Sequence, residues 1–499
     1  VEYQQSFQDF ETLVGTFIGD MHDMVELSDL MNTVFGDTSL KRYLIVFQNH
    51  HELRPTGGFM GSFALIDVEK GKILSVDVPG GGTYDLQGQL SEYVKPPLPL
   101  QLVNARWEFQ DANWFPDFAA SAQKMEWFYS HARDRSVDGV IAVNATVLER
   151  VLRIVGPVDN QEFGLLLDAD NALTKIQTQV EVGYDKTENK PKAVVASLLD
   201  QLVERMRHTE TVDAVRLLSE LHDALQEKEI QVYLNNQDVQ KKVRTYGWTG
   251  ELHATTLDQD YLGVIYANIG GQKSDARIKQ AVSHQAVIQP DGSVVNTVVV
   301  RRTHSGTPEE GLYGATNIGY LRIYVPAGAT LIDAGGFSYP PEDIFHVPED
   351  WYKNDTDLMK IEKEESMQVK NGTRVTSEFG KTVFGNWMAT SPGDTSEVYF
   401  TYTLPFQVFI PGSLSVPTED SLLSRWSPKK PSTSKYTLYL EKQSGISTDF
   451  NSQVIYPENW LPVWRSAEDI DLASNGASAN GVLSTNRVIG LLMQYMPQT

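Results

Sequence analysis

The chain has 499 residues, of which 41% are hydrophobic and 21% charged, and these globular values at this length predict about two or three domains. Its formal net charge of −23 repels polyanions, which argues against nucleic acid as a partner. The sequence contains no cysteine, which excludes disulfides, thiolate metal sites and cysteine nucleophiles. It also contains no apolar run long enough to indicate a transmembrane helix.

Residues 1–38 are predicted to form an N-terminal helical lead or stalk. Apolar side chains recur there at the spacing of one helix face, from Phe7 to Leu27. Because the chain starts at Val1 and not at methionine, we expect that processing, proteolysis or truncation removed a preceding segment, which could have held a signal or a membrane anchor.

An α/β domain is predicted to follow over residues 39–280. Its first strands are predicted at 43–48, 62–68 and 73–78. The loop 79–99 is rich in glycine and proline, and a loop of this length inside a compact domain is typical of a functional segment. Asp117 is the predicted N-cap of the next helix. A further strand and a helix opened by a capping box of Thr146 and Glu149 complete an alternation that predicts a parallel or mixed sheet.

The rest of the chain divides into a helical insertion and a β-rich domain. Residues of about 161–250 show helical periodicity, and the strand predicted at 261–267 is expected to rejoin the α/β sheet. These helices are therefore predicted to be an insertion packed on that sheet. From about residue 284 the period changes to two, with Gly, Pro and Asp turns, which predicts an antiparallel β-sandwich over 281–499. The predicted fold class is α/β, with several domains.

Polar residues and glycines cluster where the predicted strands of the α/β domain end. Ligands of open α/β sheets bind outside the carboxyl ends of the strands, where glycines let a ligand approach the backbone. The candidate ligand-binding residues are Asn49, Glu52, Arg54, Gly57, Gly58, Gly61, Asp77, Asp111, Asn113 and Asp117. An arginine beside glycines favours an anionic ligand such as phosphate, and the carboxylates could hold Mg²⁺ as a cofactor. The competing interpretation is a turn with a surface arginine, in which the aspartates only cap helices or turns.

No sequence motif assigns a catalytic or metal-binding residue. The G-x-S-x-G and H-E-x-x-H patterns are absent from the sequence. His50 and His51 are adjacent, and neighbouring side chains on an extended chain point to opposite faces, so we predict no metal site there. Catalytic residues therefore stay unassigned, and the sequence leaves open whether the protein is an enzyme.

Several longer segments resemble a bacterial family catalogued as domain of unknown function 4012. In chain order they are FQNHHELRPTGGFMGSF, DANWFPDF, VDGVIAVNATVLERVLRIVGPV, YGWTGEL, NIGGQKSD and HQAVIQPDGSV. The resemblance extends from about Lys41 to the C-terminal strands. Members of this family look like exported proteins held at the cell surface by an N-terminal transmembrane helix. The resemblance therefore implies an extracellular, membrane-anchored location for this chain.

The α/β domain is also distantly similar to the LytR–CpsA–Psr phosphotransferases, which move glycopolymers from polyprenyl pyrophosphate to the cell wall. The order of features carries this similarity: a buried strand, an arginine–glycine loop, a strand ending at Asp77, and a loop before a helix. Those enzymes have a Gly-Arg-x-Asp segment, whereas this chain has Gly57-Gly58-Phe59-Met60, so only Arg54 could take an arginine's role. Without the arginines that hold pyrophosphate, stabilisation of phosphoryl transfer is reduced.

Two functions follow as expectations. The first is a bacterial cell-surface protein whose α/β cleft binds an anionic glycan or a polyprenyl-phosphate lipid, with transfer of a cell-envelope glycopolymer as its enzymatic form. The alternative is a non-catalytic structural or adhesive cell-envelope protein, which could self-assemble as a homo-oligomer through the β-sandwich.

Overall fold

The structure is a computed structural model that describes residues 24–208, 210–368, 370–408 and 433–495. Most of the predicted N-terminal lead lies outside these ranges, and its described part includes a helix at 24–34, named α1 here. Within these ranges, no helix is long and apolar enough to cross a membrane. The predicted α/β fold class with several domains is confirmed.

The first domain is built on a mixed sheet. Its strands are β1 (Lys41–Arg54), β2 (Gly57–Glu69), β3 (Lys72–Asp77), β4 (Gly139–Asn144) and β7 (Ile230–Leu234), in the order β3-β2-β1-β4-β7. β1 and β4 are parallel, and the other neighbours are antiparallel. Successive side chains of β1 enter two different cores, Leu44 on one face and Ile45 on the other. β1 is therefore covered on both faces, as its unbroken apolar run predicted.

Helices cover this sheet and fill the segment between β4 and β7. The α-helices are α2 (Phe118–Arg133), α3 (Ala145–Val155), α4 (Ala172–Thr178), α5 (Ala193–Arg207), α6 (Thr211–Gln226) and α7 (Gln237–Thr245), with the short strands β5 (Val158–Asn160) and β6 (Leu165–Leu167). Shorter helical turns lie at Gly82–Gln89, Leu98–Leu102, Phe109–Asp111 and Gln179–Gly183. One apolar core joins α3, α5 and α6 through Val151, Leu202 and Leu217. The helical segment therefore packs beside the sheet as part of the first domain.

The two predicted helix starts have different outcomes. Asp117 caps α2 as predicted, since its carboxylate accepts a 3.1 Å hydrogen bond from the amide of Ala120. The capping box predicted at Thr146 is wrong, because α3 has Asn144 as its N-cap without a side-chain cap. The Thr146 hydroxyl instead donates a 2.7 Å hydrogen bond to Glu229. Thr146 therefore bonds to a residue distant in the sequence and does not form the capping box with Glu149.

The second domain consists of two sheets that share one apolar core. Its strands are β8 (Asp260–Asn268), β9 (Ile278–Ile288), β10 (Ser293–His304), β11 (Asn317–Pro326), β12 (Thr330–Gly335), β13 (Lys363–Met367), β14 (Arg374–Glu378), β15 (Lys381–Thr390), β16 (Thr395–Gln407), β17 (Thr433–Glu441), β18 (Thr448–Ile455), β19 (Trp460–Arg465), β20 (Ile470–Ala473), β21 (Gly476–Leu483) and β22 (Arg487–Tyr495). Its helices are α8 (Thr356–Ile361) and the turns Ser274–Arg277, Gly311–Tyr313 and Glu342–Ile344. One sheet has the order β12-β16-β10-β9-β18-β21-β20, and the other β13-β14-β15-β11-β8-β17-β22-β19. Most neighbours are antiparallel, but β8 with β17 and β9 with β18 are parallel.

The expectation that β8 rejoins the α/β sheet is wrong. β8 lies between β11 and β17 in the larger sheet of the second domain. Every residue of β8 is buried, so its continuous apolar pattern does not distinguish the centre of a sandwich from a doubly covered α/β strand. α7 is the last helix of the first domain, and β8 opens the second.

A buried polar cluster joins the two domains, and we call it the interdomain cluster. It consists of Lys228, Glu229, Glu441, Lys442 and Ser444. Lys228 pairs with Glu441, and Lys442 pairs with Glu229 at 3.1 Å. The Ser444 hydroxyl donates a 2.6 Å hydrogen bond to the carbonyl of Lys228. The cluster therefore ties the segment before β7 to the segment after β17.

Candidate functional site

A cavity of about 1160 Å³ lies in the first domain and reaches the start of the second, and we call it the main cavity. β1, β2 and the loop after β3 form one side of it, and α3, α4 and α5 form the other. Residues 269–273, which follow β8, close part of the rim. Charged and amide side chains line one end, and aliphatic side chains line the other. The cavity is therefore amphiphilic, with a polar end and an apolar end.

Arg54 lies at the polar end, at the carboxyl end of β1. Its Nη2 atom is 3.2 Å from a carboxylate oxygen of Glu52 and 3.3 Å from one of Asp111, and its Nη1 donates to the carbonyl of Asn268. The side chain is only 3% exposed. Burial raises the pKa of Asp111, against the opposing effect of the Arg54 charge. Most of the hydrogen-bonding capacity of this guanidinium is thus used within the protein.

A second cation, Lys273, shares the carboxylate of Glu52 with Arg54. Its Nζ lies 2.5 Å from the other oxygen of Glu52. The ring of Phe59 lies near both cations, with its centroid 5.3 Å from the guanidinium carbon of Arg54 and 5.2 Å from Nζ of Lys273. Glu52 and Phe59 therefore hold the two cations side by side at the rim of the cavity.

Lys192 lies just before α5 and differs from Arg54 and Lys273 in how its charge is paired. Its Nζ forms no hydrogen bond or ion pair with any residue in the described ranges. Two glycines make room for it: a Cβ on Gly61 would lie 3.4 Å from Nζ, and a Cβ on Gly82 would lie 2.9 Å from Cγ. Burial lowers the pKa of Lys192 to about 8, although Glu181 opposes this shift. At neutral pH the cavity thus holds an ammonium group that has donors left for a ligand.

Two further polar atoms at this end have hydrogen-bonding capacity left. Within the described part of the chain, Nε of Arg54 and Oε1 of Gln110 are buried without a hydrogen-bond partner. Buried polar groups are almost always satisfied in folded proteins. Together with Lys192, these atoms make the polar end suited to a ligand that carries both acceptor and donor groups.

The apolar end is a channel between α3, α4 and α5. The aliphatic side chains that line it are Val147, Leu148, Val151, Leu173, Ile176, Val180, Val195, Leu198, Leu199, Leu202, Val203 and Met206. Those from α5 recur on one helix face and begin about one turn after Lys192, at Val195. From Val195 to Met206 the channel follows α5 for about 17 Å, at the usual rise of an α-helix. An extended hydrocarbon chain could lie along it.

The structure brings five of the predicted site residues together and places the others elsewhere. Those that line the main cavity are Asn49, Glu52, Arg54, Gly61 and Asp111. Asp77 instead lines a second pocket of about 360 Å³. Its side chain is exposed at the end of β3, and the buried Tyr129 and half-buried Arg133 also line this pocket.

The remaining predicted site residues have structural contacts. The Asn113 side chain donates a 2.8 Å hydrogen bond to the carbonyl of Gly58. Gly57, at φ +141°, touches Gly445 of the second domain, where a Cβ on Gly445 would lie 2.3 Å from the Gly57 oxygen. Asp117 caps α2 and also accepts a 3.0 Å hydrogen bond from the amide of Leu252. These residues shape the domain without lining the main cavity.

The described residues include no group of three or more His, Asp or Glu side chains placed to hold a metal ion. Two of the carboxylates considered for Mg²⁺, those of Glu52 and Asp111, are paired with Arg54. Burial lowers the pKa of both His50 and His51, so these rings are neutral at physiological pH.

Sequence reasoning missed Lys192, Lys273 and the apolar channel. Lys192 follows Pro191 and precedes an amphipathic helix, and Lys273 lies in the NIGGQKSD segment. Neither position follows a strand of the α/β sheet, whereas ligands of open α/β sheets are expected at strand ends. The helical periodicity of α5 indicates an apolar face, but several residues of that face are half-buried, and a sequence does not show whether such a face lines a cavity or fills a core.

Residues 39–180 of the chain match the model of a family described as protein of unknown function, DUF4012. The match supports the resemblance noted from the sequence over this segment, which holds β1 to β6 and ends before Lys192. No curated protein matches the chain.

Solved structures similar to parts of the chain share little sequence with it. A Legionella pneumophila protein described as nutrient binding is 8% identical, with 44% of this chain and 67% of that chain covered and a TM-score of 0.24. A Streptococcus agalactiae protein is 11% identical, with 42% and 74% covered and a TM-score of 0.27. An M1 zinc metallopeptidase of Deinococcus radiodurans is 8% identical, with 44% and 43% covered and a TM-score of 0.19. TM-scores this low carry no argument about fold or activity.

Proposed function

We propose that this protein binds an anionic amphiphile, a lipid phosphate, in the main cavity. One observation carries the proposal: a single cavity joins an aliphatic channel along α5 to a polar end where the ammonium of Lys192 has no partner among the described residues. The hydrocarbon tail would occupy the channel, and the phosphate would lie near Lys192. In this orientation the apolar part of the ligand contacts the aliphatic lining and the charged part contacts the polar lining.

The channel supplies most of the proposed affinity. Each methylene group moved from water into an apolar environment contributes about 0.8 kcal/mol. The aliphatic lining of the channel offers such an environment over several turns of α5. A phosphate without a tail would gain none of this, so inorganic phosphate should bind far more weakly than an alkyl phosphate.

The polar end supplies the selectivity for an anion. The net charge of the chain is −23, so attraction of an anion has to come from local groups. Glu52 is paired with Arg54 and Lys273, whereas Lys192 can give its donors to phosphate oxygens. A neutral lipid of the same length would leave this ammonium unpaired.

The setting we propose is the bacterial cell envelope, with the protein anchored at the cell surface and a polyprenyl phosphate as its lipid. The match of residues 39–180 to the DUF4012 family, whose members look like exported proteins, is what motivates this part of the proposal. A polyprenyl chain is apolar along its length, which suits the channel.

Binding without transfer is favoured over a transferase. Phosphoryl transfer needs positive groups aimed at the charge that develops in the transition state. The guanidinium of Arg54 is already engaged by Glu52, Asp111 and a backbone carbonyl. Turnover of a polyprenyl-pyrophosphate glycan by the intact protein, above an Arg54→Ala control, would establish the transferase instead.

Calorimetric titration with tetradecyl phosphate, tetradecanol and inorganic phosphate tests the binding proposal. We expect tetradecyl phosphate to bind best, and each methylene removed from its chain to weaken binding by about 0.8 kcal/mol, roughly fourfold. Val203→Trp should reduce affinity about tenfold or more by filling the channel.

The matched control is Val215→Trp, at a residue of α6 that is 61% exposed and does not line the cavity. It should bind as the unchanged protein does. The proposal fails if tetradecyl phosphate does not bind, or if both tryptophan variants bind it equally well.

Self-assembly through the second domain is a second candidate, favoured by one observation. Among the described strands, β19 is the last in its sheet, and it exposes 44% of Leu461, 51% of Val463 and 52% of Trp464. An apolar edge strand offers unpaired backbone groups to another chain. Light scattering should then show oligomers that Val463→Lys disperses, and a monomer at high concentration would exclude this candidate.

A further inference from the structure

We propose that three aromatic side chains beside the main cavity, those of Tyr93, Trp351 and Tyr352, form a carbohydrate-binding site. We call them the aromatic platform. The inference deepens the proposed function and rests on it in one respect: the sugar would be the part of a lipid-linked saccharide that extends beyond the phosphate. The platform includes none of the residues that line the cavity.

The platform is a compact set of rings in which Trp351 is exposed and Tyr93 and Tyr352 are half-buried. The centroid of Tyr93 lies 5.1 Å from that of Trp351 and 5.7 Å from that of Tyr352, and the rings of Trp351 and Tyr352 are nearly perpendicular at 88°. Trp351 is 64% exposed. Indole and phenol rings offer an apolar face with a polar edge, and the C–H-rich face of a pyranose ring stacks on such a surface.

Backbone hydrogen bonds hold the platform in place. The amide of Lys353 donates to the carbonyl of Tyr93 at 3.0 Å, and the amide of Lys95 donates to the carbonyl of Lys353 at 2.9 Å. These bonds form a bridge between two segments that are far apart in the sequence. A site fixed before binding loses less conformational entropy when a ligand arrives. Trp351 is therefore exposed on a segment whose backbone is fixed by hydrogen bonds.

Charged side chains border the rings. The guanidinium carbon of Arg106 lies 4.4 Å from the centroid of Tyr93, and Lys353 pairs with Glu92 at 3.1 Å. Sugars combine apolar ring faces with hydroxyl groups that both donate and accept hydrogen bonds. Aromatic faces bordered by charged donors and acceptors match this combination. Lys353 pairs with Glu92 and Arg106 pairs with Glu108, so sugar hydroxyls would use the hydrogen-bonding capacity that these ion pairs leave.

Arg106 connects the platform to the polar end of the main cavity. Its Nη2 donates a 3.3 Å hydrogen bond to the carbonyl of Gln87, and its amide donates a 3.1 Å hydrogen bond to Oδ1 of Asn104. Gln87 and Asn104 both line the main cavity. We place the group attached to the phosphate on this side of the cavity, where Arg106 links Gln87 and Asn104 to the ring of Tyr93. A saccharide attached to the phosphate would meet the platform.

A glycan array of bacterial surface saccharides, probed with labelled intact protein, tests this inference. We expect at least one saccharide to bind, and we expect Trp351→Ala to reduce that binding about tenfold or more, as loss of a stacking aromatic anchor does. Trp351→Phe should retain part of the binding because it keeps an apolar ring. The matched control is Tyr339→Ala, which removes an aromatic side chain that is 53% exposed in the second domain and belongs neither to the platform nor to the cavity lining.

Titration of the same variants with tetradecyl phosphate separates this inference from the proposed function. Trp351→Ala should bind tetradecyl phosphate as the unchanged protein does. Saccharide binding that depends on Trp351, in a protein that does not bind tetradecyl phosphate, would support the platform and overturn the lipid proposal. The platform is overturned if no saccharide binds, if Trp351→Ala keeps full saccharide binding, or if Trp351→Ala loses tetradecyl phosphate as well.

Discussion

The polar end of the main cavity and the interdomain cluster are both buried and rich in charge, but they differ in how completely their groups are paired. In the interdomain cluster, Glu229 accepts hydrogen bonds from Lys442 at 3.1 Å, from Asn144 at 2.9 Å and from Thr146 at 2.7 Å. At the polar end of the cavity, the ammonium of Lys192 has no such partner among the described residues.

The contrast separates a structural network from a site that is prepared for a ligand. Burial alone would raise the pKa of Glu229, but Lys442, Thr146 and Asn144 bring it down to about 2. Burial lowers the pKa of Lys192 to about 8. The lowered pKa of Glu229 means that its charged form is stabilised in the folded protein. The lowered pKa of Lys192 means that its charged form is destabilised there. Removing each charge should therefore have opposite effects.

The largest effect is expected from Glu229→Gln. This change leaves the buried ammonium of Lys442 without its counterion, and breaking a buried pair in this way costs about 3–5 kcal/mol. Thermal unfolding should show a marked fall in Tm. The control is Glu397→Gln, because Glu397 pairs with Arg301 at the surface, where the two side chains are 48% and 59% exposed and such pairs contribute about 0–1 kcal/mol. Equal effects of the two changes would show that Glu229 stabilises the fold no more than a surface ion pair does.

Lys192→Met should weaken binding of tetradecyl phosphate by about 10- to 100-fold, since a charge-assisted hydrogen bond contributes about 1.5–3 kcal/mol. The variant should keep or raise the Tm, because a desolvated charge is removed from the native state. Titration calorimetry and thermal unfolding measure the two quantities. Lys190→Met is the matched control, as Lys190 is exposed two residues earlier and does not line the cavity. A Lys192 variant that binds normally would show that this ammonium does not hold the ligand.

A pH titration should give the smallest but most diagnostic effect. The Lys192 ammonium is charged below its pKa of about 8, so affinity should be full below that pH. Above it, affinity should fall by up to about tenfold per pH unit and level off at the affinity of Lys192→Met. Tetradecyl sulfate is the suitable ligand, because its own charge stays constant. Affinity that is flat across pH 8, or unchanged in its profile by Lys192→Met, would contradict the assignment.

The stability of the free protein should follow pH in the opposite direction. The folded pKa of Lys192 lies below its ordinary value of 10.5, so the unfolded chain binds more protons between about pH 8 and 10.5. Stability from this group therefore rises with pH in that window. Lys192→Met should remove this contribution, which thermal unfolding at several pH values can measure.

Local patterns predicted the parts of the structure that depend on neighbours in sequence. The apolar run of β1 predicted a doubly covered strand, and Asp117 predicted the start of α2, because each signal lies within one element. The end of β1 also predicted that Glu52 and Arg54 lie at a cavity, since residues after a parallel strand gather at one sheet edge.

Features that depend on distant partners were not predictable from one sequence. The hydroxyl of Thr146 donates a hydrogen bond to Glu229, which lies far along the chain. The capping box predicted from the spacing of Thr146 and Glu149 is therefore not formed. β8 pairs with β17, which follows it after many intervening strands. Lys192 reaches the cavity only because Gly61 and Gly82 leave space for it. In each case the partner is chosen by the fold, and local propensity carries no information about it.

Gln443 determines how the protein can be dissected. Its side-chain amide donates to the carbonyl of Arg54 at 3.1 Å and to that of Tyr266 at 2.7 Å, which fastens the end of β1 to β8. A fragment that stops before β8 would lack both Gln443, with these hydrogen bonds, and Lys273. The first domain therefore depends on the second for part of its binding site. Replacing the second domain by that of a relative would alter the mouth of the cavity.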